Sequence, residues 1–353
     1  MGRDLMIMSL YTKEVSLVDV HLLGWVGLSA VILALITVDI VGHVRTPHAP
    51  SLKEAAWWSL GYVILGLGFG VIIWYFYGAV YAGQYYAGFL TEKALSLDNL
   101  FVFIIIMASF RIPREFQQKA LLSGIIIALV LRLIFILVGA AIIEKFSWVF
   151  FIFGAWLLWT AWSQAREGIT IDDEPTEYHE NAFVSMMRRR FPITEGFDGQ
   201  KFFHRENGKL FLTPLFLVVL ALGSADLMFA FDSIPAIFGL TQEPYLVFAA
   251  NAFALLGLRQ LYFLVDGLLE RLVYLHYGLA AILGFIGVKL ILHAMHTNTL
   301  PFLNGGEPML WAPEIGIVPS LVFIGVTITV TVVASIIKSR SLQKHDVPLS
   351  RGH

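Results

Sequence analysis

"EKALSLDNLFVFIIIM", residues 92–107, lies inside an apolar run that extends from about Tyr85 to Met107. A run of that length reads as a membrane span. It nevertheless carries Glu92, Lys93, Asp98 and Asn99. An Asp, Lys or Arg at the centre of an inserted helix costs roughly 2.5–3.5 kcal/mol on insertion scales. Such side chains turn toward a bundle interior or a water-filled cavity, and they are functional candidates by default.

The whole chain supports the span reading. Over 353 residues it is 58% hydrophobic and 14% charged, with a mean hydropathy of +0.75. That composition places it among polytopic membrane proteins. Lipid-exposed backbone must satisfy its own hydrogen bonds, so the spans read as α-helices. The weakly alternating segments of a membrane barrel are absent. A formal net charge of −2 gives no reason to expect nucleic acid as a partner. With no cysteine, disulfides, thiolate metal sites and cysteine nucleophiles are excluded. The first apolar run starts near His21 without a clear small-residue cleavage site, so it reads as a retained helix.

Nine spans are expected, at roughly 22–42, 57–80, 85–109, 118–142, 147–165, 213–240, 245–268, 274–295 and 317–337. The fold class is therefore an all-α polytopic membrane protein of about nine transmembrane helices. A polar loop, 166–212, interrupts them with Arg188, Arg189, Arg190, Lys201, Arg205 and Lys209, and with an acidic patch Asp172–Asp173–Glu174. Basic residues concentrate on alternate loops: Arg45 and Lys53, Arg111 and Arg114, the central loop, Arg271, and the C-terminal Lys338, Arg340 and Lys344. The other loops hold one basic residue, Lys145; Arg3 and Lys13 in the N-terminal tail are a mild exception. The positive-inside rule then puts the N-terminus outside and the C-terminus in the cytoplasm of a cell-membrane (inner or plasma membrane) protein.

The opening stretch has a counterpart. Set against "EKALSLDN" (92–99), "DLMFAFDS" (226–233) aligns Glu92 with Asp226, Asp98 with Asp232 and Asn99 with Ser233. Downstream, "LVLRLIFILV" (129–138) aligns with "LGLRQLYFLV" (256–265), pairing Arg132 with Arg259. Two units of three spans result, and three is odd, so the second enters the membrane in the opposite sense. This is a 3+3 inverted repeat, a construction common among secondary transporters. The organisation is then 1–84, an N-terminal tail with two peripheral spans; 85–165, the first three-helix repeat; 166–212, a cytoplasmic loop; 213–295, the second repeat; and 296–353, an outer loop, the last span and a cytoplasmic tail.

Roles divide among the charged residues. Arg132 and Arg259 suit structural ion pairs that lock helices together. Asp98 and Asp232 suit a central site, because each stands beside a small polar side chain, Asn99 or Ser233. Pro235 follows closely and should break the helix, freeing the carbonyl of Phe231. Carboxylate, amide, hydroxyl and backbone oxygen make a lining that hard divalent cations prefer. A spacing of six turns a helix by about 600°, roughly 120° short of alignment, and advances it about 9 Å. Glu92 and Asp226 are therefore assigned to the ion path rather than to the same coordination shell. Asn251, which aligns with Gly124, suits either a ligand or a helix-packing hydrogen bond. Lys289 suits snorkelling or a carboxylate partner. Gly61, Gly66, Gly68 and Gly70 suit close helix packing.

Three of these stretches, "EKALSLDNLFVF", "FAFDSIPAIFGLT" and "NAFALLGLRQLYFLV", resemble the TerC family of integral membrane proteins within the LysE-like transporter superfamily. The likeness runs from about Trp57 to Leu292 and includes "FFHRENGKLFLTPL" at 202–215. The family is associated with tellurite (tellurium) resistance by name and with manganese export by function, and some members with loading metal onto exported enzymes. The resemblance implies Mn²⁺ as substrate and the acids named above as its ligands. Relatives commonly carry a glutamate where this chain has Gly223, so one family carboxylate is missing.

The expected function is thus efflux of a divalent cation by alternating access, with no tightly bound cofactor. One alternative is a membrane assembly or metal-delivery factor acting on secretory or membrane proteins through 166–212. Another is a LysE-like amino-acid exporter, for which clustered carboxylates are a poor fit. An intramembrane aspartyl protease is disfavoured by the absence of a GxGD stretch, so the chain reads as a non-enzyme.

Overall fold

The structure is a computed structural model describing residues 20, 22–44, 50–167, 182–194, 196–206, 209–265, 274–298 and 300–345. The N-terminal tail, the acidic patch at 172–174, Arg271 and the last eight residues lie outside them. Long apolar runs become long helices, in this order: α1 (Leu22–Asp39), α2 (Leu52–Tyr77), α3 (Ala79–Ser109), α4 (Arg114–Lys145), α5 (Val149–Glu167), a short α6 (Ala182–Arg190), the strands β1 (Phe203–Glu206) and β2 (Lys209–Leu212), α7 (Pro214–Phe238), α8 (Pro244–Leu256), α9 (Leu258–Val265), α10 (Leu275–His296) and α11 (Ile317–His345).

Local chemistry sets the helix ends. Ser51 opens α2 by accepting a hydrogen bond from the Glu54 amide at 3.2 Å, a capping arrangement. Gly78, at φ +93°, turns α2 straight into α3 without a loop. The two helices then run back along each other. The Tyr85 and Tyr86 hydroxyls donate to the Gly66 and Leu67 carbonyls at 2.8 Å. A Cβ on Gly66 would strike the Phe89 ring, and one on Gly70 the Tyr86 ring. Gly61 and Gly68 face open space instead, so the packing role falls to only two of the four glycines.

Among the described residues, seven helical segments are long and apolar enough to cross a membrane: α1 (with Ile40–Gly42), α2, α4, α7, α8 with α9, α10 and α11. The chain is thus a mostly helical polytopic membrane protein. Of the nine expected spans, the third and fifth fall on α3 and α5, which do not meet that criterion: α3 carries Glu92, Lys93 and Asp98, and α5 ends in a polar stretch with Ser163, Gln164, Arg166 and Glu167. From Tyr245 to Leu256 every side chain of α8 is buried, whereas α1, α2 and α11 turn large apolar side chains such as Leu23, Trp57, Ile64 and Val330 outward. The core lies around α8, which packs chiefly against α3, α4 and α2.

Two details differ from expectation. The seventh span is not one helix: it breaks at Gly257, where a Cβ would meet Lys93 Nζ and Tyr62 Cβ at 3.0 Å. Lys93 Nζ donates to the Ala254 carbonyl at 2.9 Å, serving an acceptor of the last turn of α8. Conversely, α7 stays helical through Pro235 and ends at Phe238. Pro235 sits in the final turn, so the lost hydrogen bond shortens the helix end without breaking it mid-span.

Candidate functional site

Arg132, wholly buried in the middle of α4, organises a polar cluster. Its Nε and Nη2 donate to Asp226 Oδ2 and Oδ1 at 2.9 and 3.0 Å. Its Nη1 donates to Glu92, to Ser233 Oγ at 3.2 Å, and to the Asn251 side-chain oxygen. One guanidinium thus ties α3, α7 and α8 to α4. Asn251 Nδ2 donates to the Val247 carbonyl at 2.9 Å, which fixes the amide with its oxygen toward Arg132. Glu92 Oε2 is buried without a hydrogen-bond partner.

Asp98 and Asp232 lie elsewhere. Together with Asn99 and Ser233 they line a cavity of about 30 Å³, completed by Leu95, Thr160, Gln164, Phe229, Leu279 and Leu283. That is room for a bare ion or a water molecule. Gln164 Nε2 donates to Asp98 Oδ2 at 2.7 Å, and His276 Nδ1 lies 3.7 Å from Asp98 Oδ1. The Trp156 indole and the Thr160 hydroxyl donate to Asp232 Oδ1 at 2.7 and 3.0 Å. Asp98 and His276 remain about a quarter exposed, so this end of the cavity reaches the surface. Among the described residues, no three acidic or histidine side chains close on one point.

A polar seam joins the two places. Glu92, Ser96 and Asn99 follow one another at i, i+4 and i+7 on α3, and each buries a side-chain atom that has no hydrogen-bond partner. Ser233 belongs to both ends, accepting from Arg132 and lining the cavity. Arg259 is separate: Nη2 donates to Asp39 on α1 at 2.8 Å, and Nη1 reaches Gln118 at 3.5 Å. Gly223 faces Ile127, whose Cγ2 would lie 3.0 Å from a Cβ there, so a larger side chain would have to displace α4 packing.

The profile described as "Integral membrane protein TerC family" matches residues 77–343. The chain belongs to the TerC family. It is 51% identical over 288 residues to an uncharacterised membrane protein of Mycobacterium tuberculosis, covering 81% of this chain and 72% of that one. It is 37% identical over 322 residues to an uncharacterised membrane protein of Myxococcus xanthus, covering 91% and 94%. It is also 38% identical over 277 residues, covering 76% and 85%, to Alx of Escherichia coli, which is called a membrane-bound redox modulator. No solved structure matches.

Sequence reasoning did not single out the cavity's third wall. Trp156, Thr160 and Gln164 stand at i, i+4 and i+8 on α5, a polar stripe that was readable in "WLLWTAWSQ". His276 carries no such signal, being the second residue of α10 in an ordinary apolar helix start. In the central loop, β1 and β2 pair antiparallel with Phe203 opposite Leu212. Asp198 accepts from His204 and Lys201 at 2.7 and 3.0 Å. The His204 hydrogen bond first, then that of Lys201, holds the Asp198 carboxyl below its ordinary range.

Proposed function

We propose that this TerC-family chain is an integral membrane transporter, not an enzyme, that exports divalent metal cations, Mn²⁺ foremost. The observation that carries the reading is the shared cavity: Asp98 and Asn99 from α3 meet Asp232 and Ser233 from α7 inside the bundle. Two carboxylates with a neutral amide and hydroxyl suit a hard cation. So few charged ligands make a site that an ion can leave as well as enter, which transport requires. Glu92, Asp226 and the neutral Asn251 flank the path, the charge of the two carboxylates balanced in part by Arg132. The chain has no cysteine and so no thiol couple of its own; a redox effect such as the name of Alx implies would act through the exported ion.

The transport cycle is read as alternating access between inverted repeats, α3–α5 and α7–α10, within nine spans of a LysE-like architecture. Reciprocal packing supports it: α3 lies on α8, α4 on α7, and α5 along α10. Gly88 of α3 approaches Ala250 of α8, and Gly124 of α4 approaches Leu222 of α7. Placed in the inner (plasma) membrane with the N-terminus outside, the Asp98–His276 end faces the cytoplasm. The opposite end is sealed where α7 meets α10, since a Cβ on Gly239 would lie 2.7 Å from Ile286 and 3.0 Å from Leu290. Beyond that seal lies a vestibule of about 500 Å³ with Glu144, Glu243, Lys289 and His293 in its wall.

A second reading, metal delivery to secretory or membrane proteins through 166–212, rests on exposed Met186, Phe191, Phe203 and Leu210 in that loop. Proteoliposomes decide between the two. Purified protein should move Mn²⁺ in preference to Ca²⁺, with Zn²⁺ and an imposed pH gradient as further arms, and Asp98→Asn or Asp232→Asn should abolish the flux. Equal flux in wild type and Asp98→Asn sinks the transport reading.

A further inference from the structure

The face of α3 opposite the Glu92–Ser96–Asn99 seam borders a second and larger cavity. Leu90, Lys93, Ala94 and Leu97 recur at i, i+3, i+4 and i+7 along it. The cavity holds about 230 Å³ between α2, α3, α9, α10 and α11, and its surface is almost wholly apolar. Three polar side chains, Ser59, Lys93 and Thr331, interrupt that surface. Ser59 Oγ on α2 is buried with no hydrogen-bond partner. Lys93 Nζ spends one N–H on the Ala254 carbonyl, and among the described residues no carboxylate lies within ion-pair distance of it.

Lys93 is the fifteenth of the 31 residues of α3, so it stands about 21 Å from one end of that helix and about 24 Å from the other. It is therefore near the middle of the bilayer, where an uncompensated ammonium costs several kcal/mol. Water is a poor remedy, because an apolar cavity offers it too few partners and tends to stay dry. A membrane-soluble molecule with an apolar chain and an anionic, hydrogen-bond-accepting head satisfies both the wall and the donors on Ser59 and Lys93. A diacyl phospholipid does not fit, since its phosphate is fixed at the membrane surface. We propose that this cavity binds a long-chain carboxylic acid, with the chain against the apolar wall and the carboxylate on Lys93 and Ser59. The site is distinct from the Asp98–Asp232 cavity and does not depend on what passes through that cavity.

The test is equilibrium binding of radiolabelled oleate and of oleyl alcohol to the purified full-length protein in detergent. Oleate should bind saturably, one per chain, and at least about tenfold more tightly than the alcohol, as a charge-assisted hydrogen bond requires. Lys93→Met should erase that preference, and Ser59→Ala should narrow it. Ile328→Trp, which fills the cavity from α11, should exclude both molecules. Equal binding of acid and alcohol to the wild type would mean that any bilayer chain fills the space, and the proposal falls. Absence of saturable oleate binding overturns it too, as does an unchanged preference in Lys93→Met. If Lys93→Met does not fold, the acid-to-alcohol ratio in wild type and Ser59→Ala decides.

Discussion

Arg132 on α4 holds Asp226 on α7 with two parallel hydrogen bonds, Nε to Oδ2 at 2.9 Å and Nη2 to Oδ1 at 3.0 Å. The paired geometry fixes the relative rotation of the two helices as well as their distance. Both residues are almost wholly buried, as is Glu92, so two carboxylates depend on one guanidinium for compensation.

Loss of that guanidinium is therefore expected to be severe. Arg132→Met strands Glu92 and Asp226 in the interior, and removing one partner of a buried ion pair costs about 3–5 kcal/mol. Adding Asp226→Leu and Glu92→Gln to it should restore much of the loss, because no stranded charge remains. Thermal unfolding in detergent, followed by tryptophan fluorescence, measures both. A triple variant no more stable than Arg132→Met alone would show that the cluster's charge balance is not what holds α3, α4 and α7 together.

His276 gives a prediction about selectivity rather than stability. Its Nδ1 stands 3.7 Å from Asp98 Oδ1 and 3.3 Å from Gln164 Nε2. A small movement would let the imidazole join an ion held by Asp98. Imidazole favours transition metals over Mg²⁺ and Ca²⁺. In the proteoliposome assay, His276→Ala should narrow the preference for Mn²⁺ or Zn²⁺ over Ca²⁺ by about tenfold while leaving Ca²⁺ itself little changed. An unaltered ratio removes His276 from the site but leaves the two aspartates in it.

How legible all this was depends on the range of each interaction. Helix positions followed from local apolar runs, so α2, α4, α7 and α10 lie close to where the sequence put them. The pairing of Asp98 with Asp232 came from a repeated motif, which is also local information. What escaped was set by distant partners. "NAFALLGLRQLYFLV" reads as one helix, yet it breaks at Gly257 with a lysine from 161 residues away on the last turn of α8. Arg132 and Arg259 hold matching places in the stretches 129–138 and 256–265, but Arg259 pairs with Asp39, 220 residues off and outside both stretches. No periodicity in either segment encodes that partner.

The central loop responds to acid in a defined direction. The folded Asp198 carboxyl titrates below its unfolded value, so its contribution to the hairpin is complete above the unfolded pKa of about 4 and fades as pH falls through the lower folded value. Between pH 5 and 8 the carboxylate's own charge is thus constant. Asp198→Asn at pH 7 should speed protease cleavage in the loop between residues 194 and 206, and wild type should approach that rate only below about pH 4. Cleavage of wild type and variant at the same rate at pH 7 would show that the Asp198 contacts do not hold the loop.

Gly154 on α5 and Gly287 on α10 test the repeat most directly. A Cβ on Gly154 would lie 2.9 Å from the Gly287 carbonyl oxygen, and one on Gly287 would lie 3.0 Å from the Gly154 carbonyl oxygen. Each helix thus places its backbone over the other's missing side chain. If an approximate twofold axis passes between them, the two sites are equivalent, and a methyl group should do the same harm at either. Overpacking of this kind costs about 1–3 kcal/mol. Gly154→Ala and Gly287→Ala should therefore lower the unfolding temperature by similar amounts. The double variant should cost less than the sum, since the first methyl already forces the helices apart and makes room for the second. Strongly unequal single effects would mean that the α5–α10 contact is a local glycine crossing and not the axis of a repeat.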